Sequence, residues 1–348
     1  MKTSKISLVS AVIFLHVIFA TAVFAATDNV LSGNIKEADG GVSGQDTNSG
    51  SGVKTGHIQD GAITNSKMAD GAITASKIGF YSNVIVVATS GVDGIKSFPD
   101  LASAMFSISD SSASNRYLIK IMPGTYSQYG QNSYLKPYVD IEGSGENLTT
   151  LIAMCRSIWP ASESEIRNLT IDSSGPCLQS PLRLGGNATS LSNVTVKAIN
   201  TSPNDTSYNT GIEMYGPAVL KNVTVITSGT GMSWGIFMSV SRQILSDVTV
   251  TSSGTGIYLM GGSESAILKN ANISAVVGVM TDWNSSGSFA INNSVISGSV
   301  NTINNNSNTR VFIGSTQLDG GPVGGNIAGV ICAGVYDENY VFYANTCP

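Results

Sequence analysis

Five residues are placed where they could grip a sugar. Arg183, Glu213, Phe237 and Tyr258 each follow the first apolar residue of a recurring motif, in Leu182-Arg183-Leu184, Ile212-Glu213-Met214, Ile236-Phe237-Met238 and Ile257-Tyr258-Leu259; Met280 follows Val279 in the same way. If these motifs are strands stacked about 4.8 Å apart, the middle residues form a column. In it, a guanidinium and a carboxylate can hydrogen-bond hydroxyls while two rings offer apolar faces, and Trp234, beside Gly235, extends the row. The column also reads as ordinary stacking of like residues with one surface ion pair, which adds little stability. Long turns at 197–210 and 226–234 curling over this face would favour the ligand reading.

Other chemistries find few residues to use. The two histidines, His16 and His57, both precede the β-helix region, so Ser-His-Asp catalysis and His-ligated metal sites are excluded there. No Gly-rich phosphate loop followed by Lys-Ser/Thr is present. The acids beside the motifs, Asp172, Glu213, Asp247 and Asp282, form no ligand cluster, so neither a metal nor a cofactor is expected. There is no Cys-x-x-Cys-His, so covalent haem is not indicated. Lys and Arg number 18 against 23 Asp and Glu, with no basic run, which argues against nucleic-acid binding. Four cysteines allow three pairings. Cys155 and Cys177 are one repeat apart, and Cys332 and Cys347 bracket a short C-terminal stretch, so these two pairs are the expected disulfides.

The elements that would position the column are read from two ladders. Leu220-Lys221-Asn222-Val223-Thr224-Val225 recurs as Ile166 to Ile171, Leu191 to Val196 and Leu245 to Val250, then more loosely from Leu268, Ile291 and Ile313. The third positions are 168, 193, 222, 247, 270, 293 and 315, and a near-constant spacing in this range is the signature of a solenoid. The second ladder is the motif introduced by Gly211, Gly235, Gly256 and Gly278, with Pro181 leading its predecessor. Both alternate apolar and polar residues, which is a strand period. Asn or Asp between two inward residues suits a sharp bend through left-handed backbone angles. Stacked coils would then place Val194, Val223 and Val248 inside and Thr195, Thr224 and Thr249 outside. The fold class is all-β, a parallel β-helix in which each coil contacts only its neighbours.

A resemblance to a known family lies upstream. Val84 to Val87 is an apolar strand, and Gly91-Val92-Asp93-Gly94 a turn. Phe98 to Ile108 has helical spacing, Leu118 to Met122 is a strand, and Pro123-Gly124-Thr125-Tyr126 and Val139 to Gly145 follow. This order resembles the start of the pectin-lyase-like right-handed parallel β-helices, and of pectinesterases in particular. The resemblance implies a single-stranded right-handed coil with a short N-terminal helix capping its open end, where core and strand edges would otherwise be exposed. It does not carry the chemistry. Pectinesterase-like stretches of the type Gln-Ala-Val-Ala-Leu, Gly-Tyr-Gln-Asp-Thr-Leu and Asp-Phe-Ile-Phe-Gly are absent.

The domain layout follows. Residues 1–25, with Lys2 and Lys5 ahead of an apolar run and small residues at the end, read as a signal peptide, with a membrane anchor as the alternative. Residues 26–56 are a polar, flexible leader. Residues 57–78 hold a decapeptide repeat with Ile63, Met68, Ile73 and Ile78 five apart. The Asp-Gly-Ala-Ile-Thr units resemble those of fibrous, commonly trimeric stalks, which implies a homotrimer; local duplication of a linker is the other reading. The β-helix spans 79–325 and a disulfide-closed lobe 326–348. Two functions of different classes fit this chain. One is a secreted or surface-attached, non-enzymatic β-helix that binds polysaccharide or has a structural or adhesive role outside the cell. The other is a carbohydrate-active enzyme of pectinesterase or polysaccharide-lyase type with a divergent site. The missing motifs favour the first.

Overall fold

The computed structural model describes residues 81, 83–90, 96–127, 133–153, 158–176, 180–202, 208–239 and 242–348. The signal peptide, leader and repeats, together with Cys155 and Cys177, lie outside the described residues.

The chain winds as a parallel β-helix whose coils present three sheets. In the first sheet one inward position can be followed from rung to rung: Ile85, Ile119, Ile141, Ile166, Leu191, Leu220, Leu245, Leu268, Ile291, Ile313 and Cys332 are successive in-register partners, all buried. The second sheet stacks Val194 on Val223 and Val223 on Val248, with Val196, Val225 and Val250 likewise in register, and all six are buried. Thr195, Thr224 and Thr249 pair on the outside. The third sheet holds Leu182–Leu184, Asn209–Met214, Ser233–Met238 and Thr255–Leu259, then the far half of Asn272–Thr281.

The turn from the first sheet into the second is made by one residue. Asn168, Asn193, Asn222, Asp247, Asn270, Asn293 and Ser315 all have φ between 48° and 58°. Asn and Asp tolerate this region better than other residues with a Cβ. The Asn side chains are also linked: Asn193 Nδ2 donates to Asn168 Oδ1 at 3.0 Å, and Asn222 Nδ2 to Asn193 Oδ1 at 2.8 Å. Asp247 breaks the chain because it has no amide to pass on, and it accepts from Asn270 Nδ2 at 3.1 Å. A second left-handed bend, just ahead of the first-sheet strands, is occupied by Tyr138, Glu163, Ala188 and Arg242, with φ from 53° to 64°. Its residues share no chemistry, so it leaves no sequence motif.

The N-terminal cap is the helix α1 (Leu101–Phe106), shorter than the 98–108 that its spacing suggests. Pro99 holds Phe98 in extended backbone, where it ends a strand paired with Val86 and Val87, and Asp100 caps the helix by accepting from Ser103 N at 2.7 Å. Leu101, Ala104, Met105 and Ile108 close the core end. At the other end the coil does not stop at 325. Val330–Ala333 and Val335–Asp337 still stack in parallel on the rung above, and the chain then turns back antiparallel at Phe342–Tyr343. Cys332 occupies the last inward position of the first sheet, and its disulfide to Cys347 seals that end.

Candidate functional site

The third sheet carries the column, because Arg183 pairs with Glu213, Glu213 with Phe237, Phe237 with Tyr258 and Tyr258 with Met280. Glycine sets its geometry. A Cβ on Gly235 would lie 2.3 Å from Val250 Cγ1 and 2.5 Å from the Gly256 carbonyl oxygen. Gly211, Gly256 and Gly278 stand in equally tight places against the next coil. At Gly235 the absent side chain lets two consecutive residues, Gly235 and Ile236, lie buried. Trp234 and Phe237 therefore reach the same face from three residues apart.

The rings pack closely. Trp234 lies 4.4 Å from Tyr258 and nearly parallel to it, at 9°. Phe237 stacks on both, at 5.5 Å from Trp234 and 5.9 Å from Tyr258, and is closed over by Tyr215 at 5.7 Å. This corrects the expectation that Phe237 offers a ring face to a ligand. It is 5% exposed, because Trp234, Tyr258 and Tyr215 pack around it; it supports Trp234 and Tyr258 instead. Tyr208, at the end of the long turn after Ile199, comes within 4.8 Å of Trp234. Of the 197–210 stretch, Lys197 to Ile199 and Asn209 to Thr210 are strand, and Tyr208 is the residue that reaches this face.

The charged half of the column is preorganised. Arg183 Nε lies 3.0 Å from Glu213 Oε2, off the line of a good hydrogen bond, and its guanidinium sits 5.1 Å over the Trp159 ring. Tyr215 Oη donates to the same Glu213 oxygen at 2.8 Å. Burial, then this bond, push the Tyr215 phenol up to about 12. Burial first and Asp282 second raise the Tyr258 phenol. Both tyrosines therefore stay neutral donors at ordinary pH. Glu213 Oε2 is thus shared between Arg183 and Tyr215, and the Asp282 carboxylate stands beside Tyr258.

The structure places the five expected residues, Arg183, Glu213, Trp234, Phe237 and Tyr258, on one face. Sequence reasoning missed Tyr134 and Trp159, which continue the column: Tyr134 pairs with Trp159, and Trp159 precedes Arg183. Their rings lie 5.6 Å apart. The signal was available in Ser133-Tyr134-Leu135 and Ile158-Trp159-Pro160, which, like Ile236-Phe237-Met238, set an aromatic ahead of an apolar residue but lack the leading glycine. It also missed Tyr208 and Tyr215, which follow no repeat. Among the described residues no three His, Cys, Asp or Glu side chains gather to hold a metal ion.

No family model matches the sequence, and no curated protein matches it. Solved structures do. The chain is similar to pectate lyase Pel9A, with a TM-score of 0.51 at 12% identity, covering 70% of each chain. It is also similar to a pectin methylesterase mutant in complex with a hexasaccharide, with a TM-score of 0.44 at 13% identity over 77% of this chain and 92% of that one. A third likeness is to pectin methylesterase PemA from Erwinia chrysanthemi, with a TM-score of 0.38 at 13% identity over 77% and 86%. The protein has the pectate-lyase-like parallel β-helix fold.

Proposed function

We propose that the protein is a secreted or surface-attached, non-enzymatic rod that binds polysaccharide through the outer face of its third sheet. The observation that carries this reading is the row Trp159, Arg183, Glu213, Tyr258 and Trp234, in which flat rings flank a fixed set of hydrogen-bonding groups. Sugars present an apolar CH face and a hydroxyl rim, and this row offers a complement to each. The signal-like residues 1–25 and the Cys332–Cys347 disulfide support export, since such bonds persist in oxidising compartments. The 57–78 repeats would join copies of the rod at their stalks.

Covering one face of Tyr258 with a sugar contributes about 1–2 kcal/mol by apolar transfer. Tyr258→Ala should therefore weaken polysaccharide binding roughly tenfold, and Trp234→Ala at least as much, without unfolding the rod. Pull-down on a panel of insoluble and immobilised polysaccharides measures this. A wild-type protein that binds none of them rejects the reading, as does binding unchanged in the Trp234→Ala/Tyr258→Ala double variant. The same preparation incubated with pectins should release neither methanol nor unsaturated products; release of either would make it an enzyme.

A further inference from the structure

A different face of the coil carries a groove that the column does not explain. On the first sheet the outward residues Val84, Leu118, Asp140, Glu165 and Ser190 follow one another in register. With Tyr81, Arg116, Glu142 and Arg167 they line a cavity of about 800 Å³, within the range of small-ligand sites.

We infer that this groove is a second carbohydrate site, separate from the third-sheet row and selective for a neutral glycan. Its polar wall is held rigidly. Tyr81 Oη donates to Asp140 Oδ2 at 2.7 Å and accepts from Arg167 Nη1 at 3.1 Å. Arg167 also binds Glu142 at 2.6 Å and Glu165 at 2.7 Å, while Arg116 reaches Asp140 at 3.2 Å. Donors and acceptors therefore alternate along the wall within a few ångströms, and their mutual bonds fix them before any ligand arrives. Vicinal hydroxyls, each both donor and acceptor, match such an alternation, and preorganisation lowers the entropy lost on binding. At the N-terminal end of the same column the lining is aliphatic, with Val84 and Leu118 set to meet a CH face.

The charge selects among sugars. Three carboxylates, Asp140, Glu142 and Glu165, face two guanidiniums, Arg116 and Arg167, and Lys120 pairs with Glu142 from behind, so the wall has no cation to spare for an anion. A polyuronate would bring like charge to a wall whose cations are already paired, and like-charge juxtaposition disfavours binding. A neutral chain meets no such penalty. Past Ser190 the same outward column becomes aliphatic at Val219, Ile244 and Ile267, each about two-fifths exposed, which gives a longer glycan an apolar track along the rod. Glycan-binding rows on two faces would let one rod join two chains, which is a structural role that needs no catalysis.

The test is calorimetric titration of the full chain with neutral gluco-, manno- and xylo-oligosaccharides and with oligogalacturonate. Ser190→Trp fills the groove from one end without removing a charged side chain, and Val84→Trp fills it from the other. Matched melting curves establish that both variants fold. At least one neutral series should bind, either tryptophan should weaken it tenfold or more, and Tyr258→Ala should leave it unchanged. No binding of any neutral series overturns the inference, as does binding indifferent to both tryptophans or competition by oligogalacturonate. Binding lost in Tyr258→Ala but kept in Ser190→Trp also overturns it, while leaving the third-sheet site standing.

Discussion

The glycine row of the third sheet makes a claim that one methyl group can test. At Gly235 an added Cβ meets Val250 Cγ1 at 2.3 Å and the Gly256 carbonyl at 2.5 Å, and the second neighbour is backbone of the adjacent coil. Ordinary contact would need the coils to part by roughly 1 Å, in a stack whose inter-strand hydrogen bonds hold them about 4.8 Å apart. Overpacking of this kind costs about 1–3 kcal/mol. Against it stands the smaller entropy of the unfolded chain when Gly becomes Ala, about 0.4–1 kcal/mol in favour of folding. Gly235→Ala should therefore lose roughly 1–2 kcal/mol, or about 1–4 °C in Tm at this chain size. Gly185→Ala is the control, because a Cβ there has nothing within 4 Å and the unfolded-state gain should be the whole effect. Val250→Ala in the Gly235→Ala background removes the side-chain clash but leaves the carbonyl clash, so a double-mutant cycle should show a favourable coupling near 1 kcal/mol and incomplete rescue. Urea unfolding followed by circular dichroism measures wild type, Gly235→Ala, Gly185→Ala, Val250→Ala and the double variant. A Gly235→Ala protein as stable as wild type would refute the reasoning, and so would a Gly185→Ala protein that falls as far.

Two further outcomes concern the charged and amide ladders. Asp247→Asn restores a donor toward Asn222 Oδ1 and should raise the urea midpoint by the equivalent of about 0.5 kcal/mol; a fall would mean that the break in the ladder is itself stabilising. Burial alone would raise the Glu142 carboxyl, but its bonds from Lys120 and Arg167 outweigh that and hold it below the usual range. Its contribution is therefore complete above about pH 4.3 and is lost as pH falls through the lowered folded value. The urea midpoint of wild type should drop more steeply between pH 5 and pH 3 than that of Glu142→Gln, and parallel curves would contradict this.

The sequence carried the fold in those positions where each coil solves the same problem with the same residue. The bend needs a left-handed residue in every coil, so Asn168, Asn193 and Asn222 repeat and can be aligned by eye. The inward Val and Leu positions repeat for the same reason, and with them comes the register that brings Arg183 to Glu213. Where several residues serve equally well the pattern vanishes, as at Tyr138, Glu163, Ala188 and Arg242. Strand alternation correctly turned Phe237 outward but could not tell that Trp234, Tyr215 and Tyr258 would close over it, because burial on an outer face is decided by neighbours two coils wide. The first-sheet groove was invisible for a related reason: its hydrogen bonds join Tyr81 to Asp140 and Arg167, residues 59 and 86 positions apart, across coils that share no motif.

The irregular coil is the more informative one. From Asn193 to Asn222 the ladder takes 29 residues, where the next step, to Asp247, takes 25. The extra residues fall in the turn between Ile199 and Asn209, and that turn delivers Tyr208 onto Trp234. In a solenoid the core fixes the rungs, so an insertion can leave only through a turn and can only change the surface beside it. A turn lengthened for no purpose would have been tolerated anywhere on the rod. This one ends on an aromatic stacked against the face where Arg183, Glu213 and Tyr258 are already aligned. The departure from the repeat and the ring cluster therefore point to the same few residues by independent routes, one read from spacing and the other from contact.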